Sequence, residues 1–150
     1  LELGRVDLLR HVMRAIGDCG VSLLQFHGEE SPEFCTQFGV MSMKAFRVRG
    51  PESLADLPKY QTDAWLLDAY SPDAFGGTGA MFNWHLALEA TQFGRPIFLA
   101  GGLTPENVSQ AVRQVQPFGV DVSSGVESAP GKKDRGKVRA FIESVKQASD

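Results

Sequence analysis

Long apolar runs are missing from this 150-residue chain. Nothing in it approaches the roughly 20 consecutive apolar residues of a membrane span, and no signal peptide opens it. Cysteine is scarce: Cys19 and Cys35 are too few for a disulfide framework. With the scattered His11, His27 and His85 they form no zinc-ligand spacing either. A basic excess is absent too, since the formal net charge is -3, which argues against a nucleic-acid partner. Linkers and low-complexity tracts are lacking, so residues 1–150 read as one domain. The nucleophile-elbow spacing is missing around Ser123 and Ser124, which excludes the usual serine hydrolase. What these absences leave is an α/β domain expected to be soluble and cytoplasmic, with 43% hydrophobic residues to build a core.

What is present is a repeating alternation. Short, nearly continuous apolar runs at 21–26, 43–48, 64–67, 97–100 and 119–122 have the look of parallel strands buried on both faces. Helical patterns fall between them at 3–16, 32–38, 52–57, 83–92, 105–115 and 135–147. Ser31-Pro32 and Thr104-Pro105 carry the cap-then-proline order that starts helices. The spacing of the runs is that of βα units. One long stretch, 69–80, is glycine-rich and holds Pro72, and a connection of that length is more often functional than idle.

Five strands suit either a five-stranded doubly wound sheet or part of a (β/α)8 barrel, which in full typically needs about 250 residues. The glycines decide the expectation. Gly101-Gly102 follows one strand and Ser123-Ser124-Gly125 follows the next, both late in the chain. Glycine after a strand lets backbone approach a ligand, and a helix start offers unpaired N–H groups to an anion. Two such turns in succession match the phosphate site formed by the last loops of a barrel, whereas a doubly wound sheet places its phosphate loop after its first strand.

Several side chains at strand ends could carry chemistry. Asp68 ends the run Ala64-Trp65-Leu66-Leu67, where apolar neighbours would partly desolvate it as a general acid requires; an N-cap or turn aspartate is the alternative. Gly76-Gly77-Thr78-Gly79 is a flexible connection or, beside Asp68, a lid with glycine hinges. His27 ends the first strand and would share that face, either for packing or for chemistry. Lys44 and Arg47 could meet an anionic substrate at the rim, stay solvated, or fill the barrel with their stems. Asp121 lines the mouth or, as the favoured role, holds the turn at 123–125. Ser123 and Ser124 could donate hydroxyls to a phosphate or serve as ordinary turn residues. Lys132, Lys133 and Lys137 read as solvated charge.

Taken in order, Leu24-Gln25-Phe26-His27-Gly28, Leu66-Leu67-Asp68, Gly76-Gly77-Thr78-Gly79, Phe82-Asn83-Trp84, Leu99-Ala100-Gly101-Gly102-Leu103, Asp121-Val122-Ser123-Ser124-Gly125-Val126-Glu127 and Pro130-Gly131-Lys132-Lys133-Asp134 form a set. The set resembles the phosphoribosylanthranilate isomerases, (β/α)8 enzymes of tryptophan biosynthesis, over about residues 21–134; Asn83 stands where that family usually has aspartate. The resemblance implies an aldose–ketose (Amadori) rearrangement of a phosphorylated substrate with no metal and no organic cofactor. It assigns Asp68 as the catalytic acid and His27 to the histidine after the fourth strand. Substrate and phosphate contacts are expected from His27, Gly77, Gly101, Gly102, Asp121, Ser124 and Gly125. The family's base, a cysteine in a Lys-Ile-Cys-Gly-like string of the first strand, has no counterpart here, and neither has the arginine expected after the second strand. The resemblance therefore implies an incomplete barrel holding family strands four to eight. Such a sheet has open edges that invite self-association.

Overall fold

The computed structural model describes residues 5–68 and 84–149. Helix α1 (Arg5–Cys19) leads into strand β1 (Leu23–Phe26), followed by a short α2 (Pro32–Cys35) and β2 (Met41–Arg47). Strand β3 (Ala64–Asp68), α3 (Trp84–Thr91), β4 (Ile97–Ala100), α4 (Val108–Val115) and β5 (Gly119–Val120) continue the alternation. A small antiparallel hairpin, β6 (Glu127–Ala129) and β7 (Lys132–Lys133), precedes the last helix, α5 (Arg135–Ser149). No helix among the described residues is long and apolar enough to cross a membrane.

All five main strands are parallel and run β1-β2-β3-β4-β5 in chain order. That sequential winding removes the doubly wound alternative, whose strand order reverses at a switch point. Side-chain alternation gives the sheet two apolar faces. Trp65, Leu67, Ile97 and Leu99 pack against α3, α4 and α5 in the largest core cluster. Met43, Ala45, Ala64, Leu66 and Ala100 form a smaller cluster on the other face. Phe26 joins Phe34, Cys35 and Phe38 beneath α1 and α2, with the three rings 5.2–6.0 Å apart.

Several boundaries differ from the sequence pattern, each for a local reason. The stretch 52–57 is not a helix. It forms two single 3-10 turns, Pro51–Leu54 and Leu57–Lys59, because Pro58 lacks an N–H and its ring clashes with the preceding turn. Helix α1 passes through Gly17 and stops at Gly20, whose φ of +63° suits a left-handed C-terminal residue. Helix α4 starts at Val108 rather than at Pro105: Asn107 is its N-cap, and 105–107 form a turn. The hairpin β6–β7, turning at Gly131 with φ +75°, was not anticipated. The glycine-rich stretch 76–79, including Gly77, lies outside the described residues.

Candidate active site

The C-terminal ends of the strands meet around an open cleft of about 350 Å³. Its lining comes from β1 and the residue after it (Gln25, His27), from β3 (Leu66, Asp68) and from the loops after β4 and β5. Placing these groups at one end of the sheet follows from the parallel winding, since every strand then delivers its last residue to the same edge.

Asp68 is the last residue of β3, in register with Arg47 on β2 and Ala100 on β4. Its backbone carbonyl is used by the Val48 N–H at 3.0 Å. The carboxylate is three-quarters covered, with Leu66 and Ala100 among its cleft neighbours, and its Oδ2 lies 3.7 Å from His27 Nε2. His27 is far more open, with 45% of its side chain exposed. The cleft therefore holds a carboxyl in a partly desolvated position beside an accessible imidazole. That pairing can donate a proton to an oxygen leaving group and orient the group that receives it.

The two glycine turns come together at the opposite wall. Gly101 and Gly102 have φ of +88° and +65°, which only glycine adopts without strain, and both line the cleft. Gly125 packs against the backbone of the other turn so closely that a Cβ on it would lie 1.8 Å from the Leu103 carbonyl oxygen. Ser123 and Ser124 line the cleft from the second turn, and the 3-10 turn Ser124–Val126 follows directly. Asp121 also lines it; its N–H bonds to Leu99 O at 2.8 Å, but its carboxylate accepts no N–H from the 123–125 turn. The turn-holding role expected of Asp121 is thus not the one it performs.

Other residues hold these turns, and the sequence reading did not give them that part. Asn107 spans the first turn, its amide nitrogen donating to Gly102 O at 3.0 Å and its oxygen accepting from Thr104 N–H at 2.8 Å. Lys133, read as solvated charge, donates to Ser123 O at 2.8 Å and to the Glu127 carboxylate at 2.9 Å. The Lys133 ammonium holds the Glu127 carboxyl below its usual range, against a smaller upward effect of desolvation. Lys137 donates to Glu127 O at 2.8 Å, which pins the same hairpin. Gln25 enters the cleft because it lies two residues before His27 and so on the same face of the strand, a signal that strand alternation carries.

The remaining candidates lie elsewhere. Lys44 is buried, not at the rim, and bonds to Gly28 O at 2.6 Å and Glu30 Oε2 at 3.0 Å. Arg47 is exposed and is not among the cleft-lining residues. Cys19 ends α1, ahead of β1 and hence at the opposite end of the strands. Cys35 is buried among the three phenylalanines, and desolvation pushes its thiol up to about 11. His11 sits on α1 and His85 pairs with Glu89 on α3, both away from the cleft. Among the described residues no three His, Cys, Asp or Glu side chains gather as a metal site.

The sequence profile of the N-(5'-phosphoribosyl)anthranilate (PRA) isomerases matches residues 7–144. An N-(5'-phosphoribosyl)anthranilate isomerase from Geobacter sp. (strain M21) is 57% identical over 141 residues, covering 94% of this chain and 69% of the relative. The crystal structure of phosphoribosyl anthranilate isomerase from Thermotoga maritima superposes with a TM-score of 0.82 at 36% identity, covering 92% of this chain and 68% of that one. A second such isomerase structure, in complex with reduced 1-(o-carboxyphenylamino)-1-deoxyribulose 5-phosphate, gives 0.79 at 34% identity, covering 92% and 66%. The chain thus spans about two thirds of the length of the relatives it matches.

Proposed function

Because the chain belongs to the N-(5'-phosphoribosyl)anthranilate isomerase family, we propose that its cleft is the acid and phosphate-binding part of that isomerase site. On this reading residues 1–150 are one domain, a partial (β/α) barrel that holds the family's strands four to eight. The sequential five-stranded parallel sheet and the two-thirds coverage of the relatives support that reading. A cytoplasmic location belongs to the same proposal and suits an enzyme of tryptophan biosynthesis.

One observation carries the functional reading: Asp68 and both glycine turns line one cleft. The substrate is a ribose phosphate carrying an aromatic amine; the ligand of the related complex is a reduced deoxyribulose 5-phosphate that carries a carboxyphenylamino group. Its phosphate rests on the turns, held by Gly101, Gly102, Ser124 and Gly125, with His27 and Asp121 contacting the sugar. Gly77 belongs to the same assignment and lies outside the described residues. Asp68 protonates the ribose ring oxygen, the C1–O bond breaks, and the nitrogen lone pair completes a Schiff base. A base then removes the C2 proton, and the enolamine becomes the ketose.

No cysteine of this chain lines the cleft, so the base is not supplied by Cys19 or Cys35. That observation favours a second element to the proposal: residues 1–150 alone bind phosphate without turning over substrate, and catalysis requires the part of the barrel that carries the base. The edges at β1 and β5, each paired on one side only among the described residues, make self-association part of this reading.

The test is titration of the isotope-labelled chain with inorganic phosphate, followed by NMR. Amides of 101–103 and 123–125 are expected to shift first. Shifts confined to residues before β3 would overturn the assignment. An isomerase assay of the chain, alone and mixed with the N-terminal third of a relative, is expected to give turnover only in the mixture.

A further inference from the structure

Lys44 is the only charged residue that is buried among the described residues, at 3% exposure. It lies opposite Phe26 in the β1–β2 ladder, on the face turned away from the cleft. An aliphatic side chain would pack there without the cost of taking an ammonium out of water, so the charge calls for a role beyond filling space.

Its contacts indicate that role. The β1 ladder ends at Phe26, leaving His27 and the residues after it without strand partners. The Lys44 ammonium reaches past the ladder to the Gly28 carbonyl at 2.6 Å and to Glu30 Oε2 at 3.0 Å. The same Glu30 oxygen accepts the Gly28 N–H at 2.9 Å. Both backbone polar groups of Gly28 are therefore held. The peptide plane carrying that N–H begins at His27, so fixing it sets the direction in which His27 leaves the strand. Tyr60 adds a third anchor by donating its hydroxyl to Glu30 O at 3.0 Å, while its ring stands 5.6 Å from the Lys44 nitrogen.

We propose that the Lys44–Glu30 pair is a positioning clamp that, from behind the sheet, holds the His27 imidazole toward Asp68. Lys44 and Glu30 are positioning residues, acting on the substrate only through His27. The functional meaning of the clamp rests on the reading of the cleft as the isomerase site, but its existence does not.

The experiment follows the His27 ring by NMR in the chain as it stands. In the parent, Asp68→Asn is expected to move the His27 ring signals, because the two side chains are 3.7 Å apart. In Lys44→Met that response is expected to fall by at least about threefold, since a clamp and the pair it holds are coupled sites. The response of the 123–125 amides to inorganic phosphate is expected to stay within about twofold, as those turns share no partner with Lys44. Should the single variant fail to fold, Lys44→Met/Glu30→Gln leaves no unpaired buried charge and carries the same test. A His27 response to Asp68→Asn that stays at the parental size in either folded variant, even with lowered thermal stability, overturns the clamp and leaves Lys44 a structural residue. A parent chain whose turns ignore phosphate overturns the site assignment instead, without touching the clamp.

Discussion

The carbonyl oxygen of Leu103 occupies the space beside Gly125 where any other residue would carry its Cβ, at 1.8 Å. One glycine turn is thereby built directly on the backbone of the other. Gly125→Ala is expected to push the turns apart and to weaken inorganic phosphate binding by at least about tenfold, with a stability loss of about 1–3 kcal/mol from overpacking. Phosphate titration and thermal melting of the same samples check both halves. Gly17→Ala is the control of opposite sign: that glycine lies inside α1 with nothing within 4 Å of a Cβ, and the change is expected to stabilise by up to about 1 kcal/mol.

Asp68→Asn tests whether the proposed acid is separable from the proposed phosphate site. In a reconstituted barrel the substitution is expected to lower kcat by about 10²–10⁴-fold, the usual worth of one general acid. Phosphate affinity of the chain is expected to hold, because the turns are pinned by Asn107 and Lys133. Parallel loss of both would mean that Asp68 builds the cleft instead of acting in it.

Thiol chemistry distinguishes the two cysteines. Cys35 is 1% exposed, and desolvation pushes its pKa up to about 11, with Glu30 and Glu33 adding to the rise and Lys44 opposing it. Cys19 is exposed. Thiolate is the reactive form, so a disulfide reagent at about pH 8 is expected to titrate one thiol quickly and the second only after denaturation. Mass mapping that finds Cys35 labelled as fast as Cys19 would contradict the buried aromatic setting.

The acid limb of stability reports on Glu30. Burial raises its pKa, but hydrogen bonds from backbone N–H groups, including that of Gly28, and from the Lys44 ammonium outweigh burial and leave it below 4.5. A carboxyl depressed in the folded state stabilises above its unfolded value and loses that contribution as pH falls through the folded one. The melting-temperature difference between the parent and Glu30→Gln is therefore expected to be full at neutral pH. It should shrink only below about pH 4.5. A difference that grows on acidification would mean that the carboxyl is not held in its charged form.

Much of this is legible in the sequence itself, and the physics explains which parts. Strands such as 97–100 are continuous apolar runs, and a parallel sheet buried on both faces requires that pattern, so their existence was readable. The cleft residues Asp68, Gly101, Gly102 and Gly125 were readable because strand ends and glycine turns fall at fixed offsets in a βα unit. What escaped depended on partners distant in sequence. Lys44 finds Gly28 16 residues away and Lys133 finds Ser123 ten away, distances at which no local pattern distinguishes a clamp from a solvated lysine. Asn107 was missed for a different reason: Thr104-Pro105 offers the stronger local helix-start signal, whereas the helix begins at Val108 and the Asn107 side chain turns back to Gly102 and Thr104.

The open sheet makes the last prediction. Among the described residues β1 and β5 each have a strand neighbour on one side only, and apolar side chains stand exposed near both: Leu23 at 40%, Met41 at 54% and Phe118 at 75%. Phe118 leans on Phe98 with the rings tilted by 58° and centroids 5.4 Å apart, so the apolar surface is continuous from β5 back to β4. Unpaired strand backbone beside exposed apolar side chains is a template for another chain. Sedimentation velocity at two concentrations is expected to show a reversible monomer–dimer exchange, with the dimer fraction rising with concentration. Phe118→Glu places a charge on the β5 side and is expected to shift the chain toward monomer. Addition of the N-terminal third of a relative should do the same, because it competes for the same edges. A monomer mass independent of concentration in the parent would mean that the edges are satisfied within one chain, and the charged substitution would then change nothing.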